Sequence, residues 1–325
     1  MVPGTLPRLH VPHLPLNLLP DMVAFKDDST DGKYTQVYRF RFEPLVLACT
    51  VNDPSFAVTD ADIVSGVNNL RLLMDFAFET SNKSFRIDLG FRAQTLFMTR
   101  WESELSNLAR TSRCRGYGRG FEEVSTVSKG VDPQQTSHHQ VVSYNLGGLK
   151  TIVQYQADAC NCQCGETWSD DAIDKAAKSP DVMSTVSGDC LRVIKGGISH
   201  TSSCLVEIKS RESRNHDLHD ILPQLWLSRQ SIMMLGRHSG GHFTTIESHD
   251  MDHQIGVWEE CHGHLLESYT TLLAEIYRTV RAAADRTHEC RFALLFCRDQ
   301  NAGTLQLFDR RDGQEMLAPD CPIAQ

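Results

Sequence analysis

The stretch CLVEIKSR, residues 204–211, places two opposite charges inside an otherwise apolar run that is typical of a β-strand. Successive side chains of a strand point to opposite faces, so Glu207 and Lys209 should project from one face, with Val206 and Ile208 in the core. Charged side chains on a buried strand are unfavourable unless they are paired or bind a metal ion. Taken alone, the stretch is more typical of an exposed strand face with an ion pair, and other polar residues must decide whether it carries a site.

The composition is that of a globular protein, with 325 residues, 41% hydrophobic and 22% charged. The net charge of −9 excludes a general polyanion binder with a broad basic face. The 11 cysteines show no disulfide rhythm, and neither a signal peptide nor an apolar run of about 18 residues is present. We therefore expect an intracellular protein, nuclear or cytoplasmic, without a membrane segment.

The periodicity of apolar residues predicts an alternation of strands and helices. The predicted helices span residues 59–78, 217–230 and 253–285. The predicted strands and hairpins cover residues 38–48, 84–100 (around Gly90), 148–160, LRVIKGG with SCLVEIKSR, 231–248 and the segment after Cys290. These elements predict an α+β fold with a central mixed β-sheet flanked by helices. We expect a Pro-rich, partly disordered arm over 1–37, one domain over 38–312 and a tail over 313–325.

Further polar side chains accompany this strand. Asp158 is the second-to-last residue of the alternating run TIVQYQADA, Glu122 follows a turn rich in glycine and arginine, and Gln224 lies on the helix after Glu207. Carboxylate oxygens are the ligands that Mg²⁺ and Mn²⁺ prefer, and a lysine beside them can orient a metal-activated water or balance charge on a phosphoryl group. The pattern favours hydrolysis of a phosphodiester or pyrophosphate.

The order of these motifs resembles the PD-(D/E)XK nuclease superfamily and, more narrowly, the DXO-type RNA decapping and 5′-to-3′ exonuclease family, as a divergent fungal-type member. The resemblance rests on Glu122 in GRGFE, Asp158 in QAD, Glu207 and Lys209 in EIK, and Gln224 in LPQLWLS. It covers residues from about 85 to 310. It implies that Glu122, Asp158 and Glu207 bind Mg²⁺ or Mn²⁺ and that the substrate is an RNA 5′ end or a nucleotide. Lys209 would position the nucleophile, and Gln224 the substrate or a metal-bound water.

The sequence departs from the family pattern in its acids and in its arginine motif. The first acid of the E-h-D motif is Gln156 here, which keeps an oxygen ligand and loses a charge. The early arginine motif is echoed only loosely by Arg92 or Arg100. Arg92, Arg115 and Arg119 are weaker candidates for binding the substrate phosphate. A weakened or inactive member that serves as a binding or regulatory module is the alternative, and the sequence identifies no protein partner.

Two other motifs have simpler interpretations. CNCQC, with Cys160, Cys162 and Cys164, lacks the C-x₂-C spacing of zinc sites, so we interpret it as strand-end cysteines. DDAID, residues 170–174, matches an acidic motif of prenyl diphosphate synthases, but those enzymes are all-helical and carry a second acidic motif. Here Ser169 before DDAID is more typical of a helix N-cap.

Overall fold

The computed structural model describes residues 6–21, 40–101, 116–127, 138–161, 200–287, 290–298, 303–310 and 316–317, and the backbone alone of 182–183 and 193–194. Among these residues, no helix is both long enough and apolar enough to cross a lipid bilayer.

Runs of strands are separated by single helices or helix pairs along the described chain, which is consistent with an α+β protein. The helices are α1 (Glu43–Asn52), α2 (Val67–Ala77), α3 (Gly118–Val124), α4 (Leu222–Ser228), α5 (Asp252–Cys261) and α6 (Gly263–Thr287). The strands are β1 (Arg8–Leu9), β2 (Leu16–Asn17), β3 (Ile63–Gly66), β4 (Phe85–Arg92), β5 (Thr95–Arg100), β6 (Thr126–Val127), β7 (His139–Leu146), β8 (Leu149–Gln156), β9 (Ala159–Cys160), β10 (Val182–Met183), β11 (Val193–Ile194), β12 (Leu205–Glu212), β13 (Ile232–Ser239), β14 (His242–Asp250), β15 (Arg291–Phe296) and β16 (Leu305–Asp309).

The predicted α+β class is confirmed, but the strands form two large mixed sheets where one was expected. Sheet I has the order β2-β14-β13-β12-β9-β1-β6, and sheet II has the order β16-β15-β4-β5-β3-β8-β7. Strands β10 and β11 form a separate pair. The more specific likeness to PD-(D/E)XK nucleases stays a prediction.

One large apolar core joins the two sheets. It contains Met233 and Leu235 of sheet I, Ile87 of sheet II, Leu73 of α2 and Tyr269 of α6, each 0% exposed. Helix α6 contributes a long buried stripe because its apolar residues recur at helical spacing, as in Tyr269, Leu273, Ile276 and Val280. The two sheets therefore share one core with the helices.

Two predicted elements near the N-terminal half are wrong in type or length. Residues 40–48 do not form a strand: α1 begins at Glu43, with Pro44 in its first turn, where a missing N–H is tolerated. The helix predicted over 59–78 begins only at Val67, because Ile63–Gly66 forms β3 between β5 and β8. The β-branched Ile63 and Val64 are fully buried there, as befits an interior parallel strand.

The strand pairing around β12 also differs from the prediction. Strand β12 pairs in parallel with β13 and antiparallel with β9, whereas β11 pairs with β10. The hairpin expected between LRVIKGG and SCLVEIKSR is therefore wrong. The β13–β14 hairpin is confirmed, with Gly240 and Gly241 at φ values of 57° and 90° that favour glycine.

The helix predicted over 253–285 is two helices. Helix α5 ends at Cys261 and α6 begins at Gly263, with His262 as the C-cap between them. The apolar stripe continues through the break, since Trp258 and Leu266 both enter the core. Apolar periodicity alone could not distinguish one helix from two that share a buried face.

The N-terminal segment and part of the C-terminal tail pack against the rest of the fold. Residues 6–21 supply β1 and β2 to sheet I, and Leu6 is 1% exposed. Met316 is buried against Gly90, where an added Cβ would lie 2.5 Å from the Met316 Cγ. Packed residues thus lie on both sides of the predicted domain limits at 37 and 312.

Candidate functional site

Strand β12 lies inside sheet I, between β9 and β13, and carries the charged pair of the opening stretch. Val206 and Ile208 pack with Phe121 and Phe243 in an apolar cluster on one face. The Glu207 side chain is 3% exposed and that of Lys209 31% exposed, and Lys209 Nζ contacts Glu207 Oε1. The alternation of a central strand therefore places a paired, buried carboxylate at this position.

Gln224 of α4 contacts the same oxygen of this carboxylate as Lys209 does. Its Nε2 donates a hydrogen bond to Glu207 Oε1 at 2.6 Å. Glu207 Oε2 is buried and has no hydrogen-bond partner among the described residues. A buried oxygen without a donor is unfavourable, so this oxygen marks a place where a cation or a donor from a ligand would be stabilising.

Asp158 lies where the chain passes from one sheet to the other. Strand β8 of sheet II ends at Gln156, and β9 of sheet I begins at Ala159. The Ile208 N–H donates to Asp158 Oδ2 at 2.9 Å, so the carboxylate is held against β12. This crossing brings Asp158 next to the strand that carries Glu207 and Lys209.

Glu122 is positioned by the packing of the short helix α3 on sheet I. The preceding residue, Phe121, is fully buried and stacks on Phe243 with ring centroids 4.8 Å apart. Gly236 leaves room for this ring, because a Cβ there would lie 2.4 Å from Phe121 Cζ. The Asp21 carboxylate accepts the N–H groups of Arg119 and Gly120 at 3.2 and 3.0 Å, which satisfies the first turn of α3.

The acids are close enough to perturb one another. Burial raises the pKa of Asp158 well above its usual value, and the charges of Glu207 and Glu122 raise it further. Burial likewise raises the pKa of Glu122, with Glu207 adding to the effect and Lys209 opposing it. For Lys209, burial favours the neutral amine, but Glu207 and Asp158 outweigh it and raise the pKa. Three acids thus crowd around one ammonium group, and their crowding and burial favour the protonated forms of Asp158 and Glu122.

The chemistry of these groups fits a water-rich divalent cation. Within the described ranges, no three His, Cys, Asp or Glu side chains are grouped closely enough to hold a metal ion. Mg²⁺ commonly keeps several waters and takes only one or two protein carboxylates together with substrate phosphates. The unpartnered Glu207 oxygen and the neighbouring Asp158 suit that kind of cation, and they do not suit a closed zinc cage.

The structure brings the main predicted residues together and separates some others. Glu122, Asp158, Glu207, Lys209 and Gln224 form one group through the contacts and mutual charge effects given above. Arg119 is on α3 beside them, and its charge lowers the pKa of Glu122.

The remaining arginine and glutamine candidates are not part of this group in the described structure. Arg92 ends β4 at the turn into β5, and β5 runs parallel to β8 through β3, so Arg92 is at the opposite end of sheet II from Asp158. Gln156 is exposed at the end of β8. Arg115 lies outside the described residues, as do Cys162, Cys164 and residues 170–174. Cys160 is buried in β9.

Three residues of this neighbourhood were not predicted from the sequence: Arg71, Asp21 and Tyr155. Arg71 of α2 contacts Gln224, and Asp21 caps α3 from the N-terminal segment. Tyr155 is buried, and the Glu207 charge adds to the effect of burial in raising the pKa of its hydroxyl. Arg71 and Asp21 carry no local signal, since their partners lie 153 and 99 residues away in the chain.

Solved structures share the fold of this chain. The chain is similar to Candida albicans Rai1 in complex with pU5 and Mn²⁺, at 13% identity and a TM-score of 0.63, over 97% of this chain and 87% of that one. It is also similar to Scheffersomyces stipitis Rai1 with (3′-NADP)⁺ and calcium, at 12% identity and a TM-score of 0.61, over 96% and 86%. K. lactis Dxo1 with manganese matches at 10% identity and a TM-score of 0.53, over 96% and 84%. The predicted resemblance to DXO-type proteins is thereby confirmed at the level of the fold.

The family itself is given by sequence. Residues 1–320 match the family described as "Domain of unknown function (DUF8563)", and the chain belongs to this family. No curated protein sequence matches the chain.

Proposed function

We propose that the protein is a divalent-metal-dependent hydrolase that acts on RNA 5′ ends, with the five grouped residues as its active site. The observation that carries the proposal is the buried Glu207 carboxylate, with one oxygen held by Lys209 and Gln224 and the other without a partner among the described residues. The ligands of the structural neighbours support it: one Rai1 binds pU5 with Mn²⁺, and others bind 3′-FADP or (3′-NADP)⁺.

Each residue has a separate role in this proposal. Glu207 and Asp158 would hold Mg²⁺ or Mn²⁺ directly and Glu122 would bind it through a metal-bound water, since no three acids converge in the described residues. The bound cation would supply an activated water and offset phosphate charge. Lys209 would donate to the phosphoryl oxygens as charge develops on them, since its ammonium is held in place by Glu207. Gln224 would keep the Glu207 carboxylate in one orientation. Arg119, at the start of α3, would contact the substrate phosphate.

The test is hydrolysis of triphosphorylated, capped and NAD-capped RNA by the pure protein, with Mn²⁺, with Mg²⁺ and with a chelator. We expect a 5′-end product with metal and none with chelator. Glu207→Gln should lose activity, whereas Glu260→Gln, which neutralises an exposed acid on α5, should retain it. Absence of any 5′-end product at millimolar Mn²⁺, or equal activity of Glu207→Gln, would overturn the proposal.

The second candidate is a binding or regulatory module that keeps the fold without turnover. Gln156 favours it, because it replaces an acid of the motif and lies exposed, and no cluster of three ligands is preformed in the described residues. In the same assay this candidate predicts metal-independent binding of RNA by the wild-type protein with no product. Binding that requires Mn²⁺ and leads to product excludes it.

A further inference from the structure

Arg71, on the α2 helix, is joined directly to the candidate site. Its Nη1 donates to Gln224 Oε1 at 3.0 Å, and its Nη2 donates to the carbonyl oxygen of Asp220 at 3.3 Å. Both acceptors belong to the segment that forms the start of α4. Helix α2 is therefore joined to the start of α4 through a half-buried guanidinium group.

The chemistry of arginine determines how the Gln224 amide must be oriented. A guanidinium group only donates hydrogen bonds, so the oxygen of the amide must face Arg71. The amide nitrogen then faces Glu207, to which it donates at 2.6 Å. If the amide were reversed, its oxygen would face the Glu207 carboxylate and its nitrogen would face a cation, and both contacts would be repulsive.

A relay of fixed polarity therefore runs from Arg71 through Gln224 to Glu207. Its last member, Glu207 Oε1, also contacts Lys209, so the relay orients the carboxylate and leaves Oε2 without a hydrogen bond from any described residue. Arg71 also exerts its charge on Lys209, where it opposes the effect of the acids on the ammonium pKa. Arg71 is thus close to the reacting groups without touching Glu207 itself.

We infer that Arg71 is a positioning residue that sets the orientation of the Gln224 amide and, through it, keeps one oxygen of Glu207 available for the metal. This inference rests on the proposed function only in its last step, the metal. Its first step, the orientation of the amide by Arg71, is a property of the protein without metal or substrate.

A set of variants distinguishes the loss of the Arg71–Gln224–Glu207 relay from a general loss of stability. Arg71→Met removes both hydrogen bonds and keeps the aliphatic length, and Arg71→Lys keeps the charge and a donor. Arg211→Met is the matched control, because Arg211 of β12 binds the Asp220 carboxylate in the same turn and has no hydrogen bond to Gln224 among the described residues. Gln224→Met removes the amide and completes a double-mutant cycle with Arg71→Met.

Mn²⁺ affinity is measured on every variant. The NMR signals of the Gln224 side-chain NH₂ group, assigned by their loss in Gln224→Met, are measured on the metal-free variants that keep Gln224. We expect Arg71→Met to shift the NH₂ signals and to weaken Mn²⁺ binding roughly 10–100-fold, as for other groups that orient a metal ligand. Arg71→Lys should recover part of that loss, and Arg211→Met should change neither readout. The double variant should bind Mn²⁺ no more weakly than Gln224→Met alone.

Unchanged Gln224 signals in Arg71→Met would overturn the inference, and so would additive losses of Mn²⁺ affinity in the double variant. If the wild-type protein hydrolyses no RNA, the proposed function fails, and the NMR signals and Mn²⁺ affinity still decide the role of Arg71. If Mn²⁺ does not bind to the wild-type protein, the metal step is overturned, and the NMR comparison of Arg71→Met with Arg211→Met decides the orientation step.

Discussion

Gln224 and Glu207, 17 residues apart, are joined by a 2.6 Å hydrogen bond. Gln224 lies in the first turn of helix α4, and Glu207 lies on strand β12. The contact places an amide donor on a carboxylate that also contacts Lys209. Each partner alone would be ordinary on a protein surface. The Glu207 side chain is only 3% exposed, and burying an ion pair of this kind is energetically unfavourable. The contacts of Gln224 and Lys209 with this buried carboxylate therefore indicate a functional site.

Lys209 and Glu207 should fail in different ways if each has its proposed role. Lys209→Ala should lower kcat by roughly 10²-fold with little change in KM, because it removes an interaction that strengthens in the transition state. Glu207→Gln should weaken metal binding and recover activity in part at high Mn²⁺, and Lys209→Ala should not recover. Steady-state kinetics across a Mn²⁺ titration measures both. Equal recovery of the two variants would contradict the separate roles.

Restoring the acid at position 156 should have a small effect. Gln156 is exposed, so the charge added by Gln156→Glu acts through solvent and should tighten Mn²⁺ binding by less than about 1 kcal/mol. The gain should diminish at about 1 M salt, where exposed charges are screened. Calorimetric titration of Mn²⁺ measures it, with Gln254→Glu, an exposed position on α5, as the control. An affinity equal to that of the control would place residue 156 outside the metal site.

Gly236 should be sensitive to a single methyl group. Gly236→Ala forces Phe121 to move, since the new Cβ would lie 2.4 Å from its ring, and overpacking of this kind costs about 1–3 kcal/mol. Because Glu122 is the next residue, Mn²⁺ affinity should fall as well. Gly256→Ala is the control: it lies within α5 with nothing within 4 Å of the added Cβ, and should raise stability by about 0.5–1 kcal/mol. Urea unfolding measures the stability of both variants, and a Mn²⁺ titration measures the affinity. An undiminished free energy of unfolding in Gly236→Ala would contradict the packing described.

The buried His238 should make stability depend on pH. Burial lowers its pKa below the ordinary value, with Glu212 opposing the effect, and its ring packs against Tyr117 and Phe243. The unfolded chain therefore binds the proton more readily than the folded protein. The stability that the neutral His238 contributes to the folded protein is complete above a pH of about 6.5. It is lost as the pH falls below that value towards the pKa of His238 in the folded state. Urea unfolding between about pH 5 and 8 should show a shallower dependence in His238→Gln, and an identical dependence would contradict the prediction.

The local geometry of several segments could be predicted from the sequence. The alternation in 204–211 placed Glu207 and Lys209 together, because the two-residue period of a strand does not depend on its neighbours. The glycines at 240 and 241 indicated the β13–β14 hairpin for a similarly local reason, their positive φ values. Apolar periodicity gave the wrong prediction where a helix and a buried strand would carry the same apolar residues. Residues 63–66 continue the apolar stripe of helix α2, but they pair as an interior strand between β5 and β8.

The sequence by itself determined which residue types stand on β12 and α4, and the order of motifs that resembles DXO-type proteins. Only the tertiary structure decided that Asp158 meets β12 at a crossing between two sheets, that Asp21 caps the helix of Glu122, and that Arg71 orients Gln224. The physical reason is the range of the interactions. Strand and turn geometry is set within a few residues, whereas contacts over 50 to 153 residues depend on how both sheets pack around one shared core.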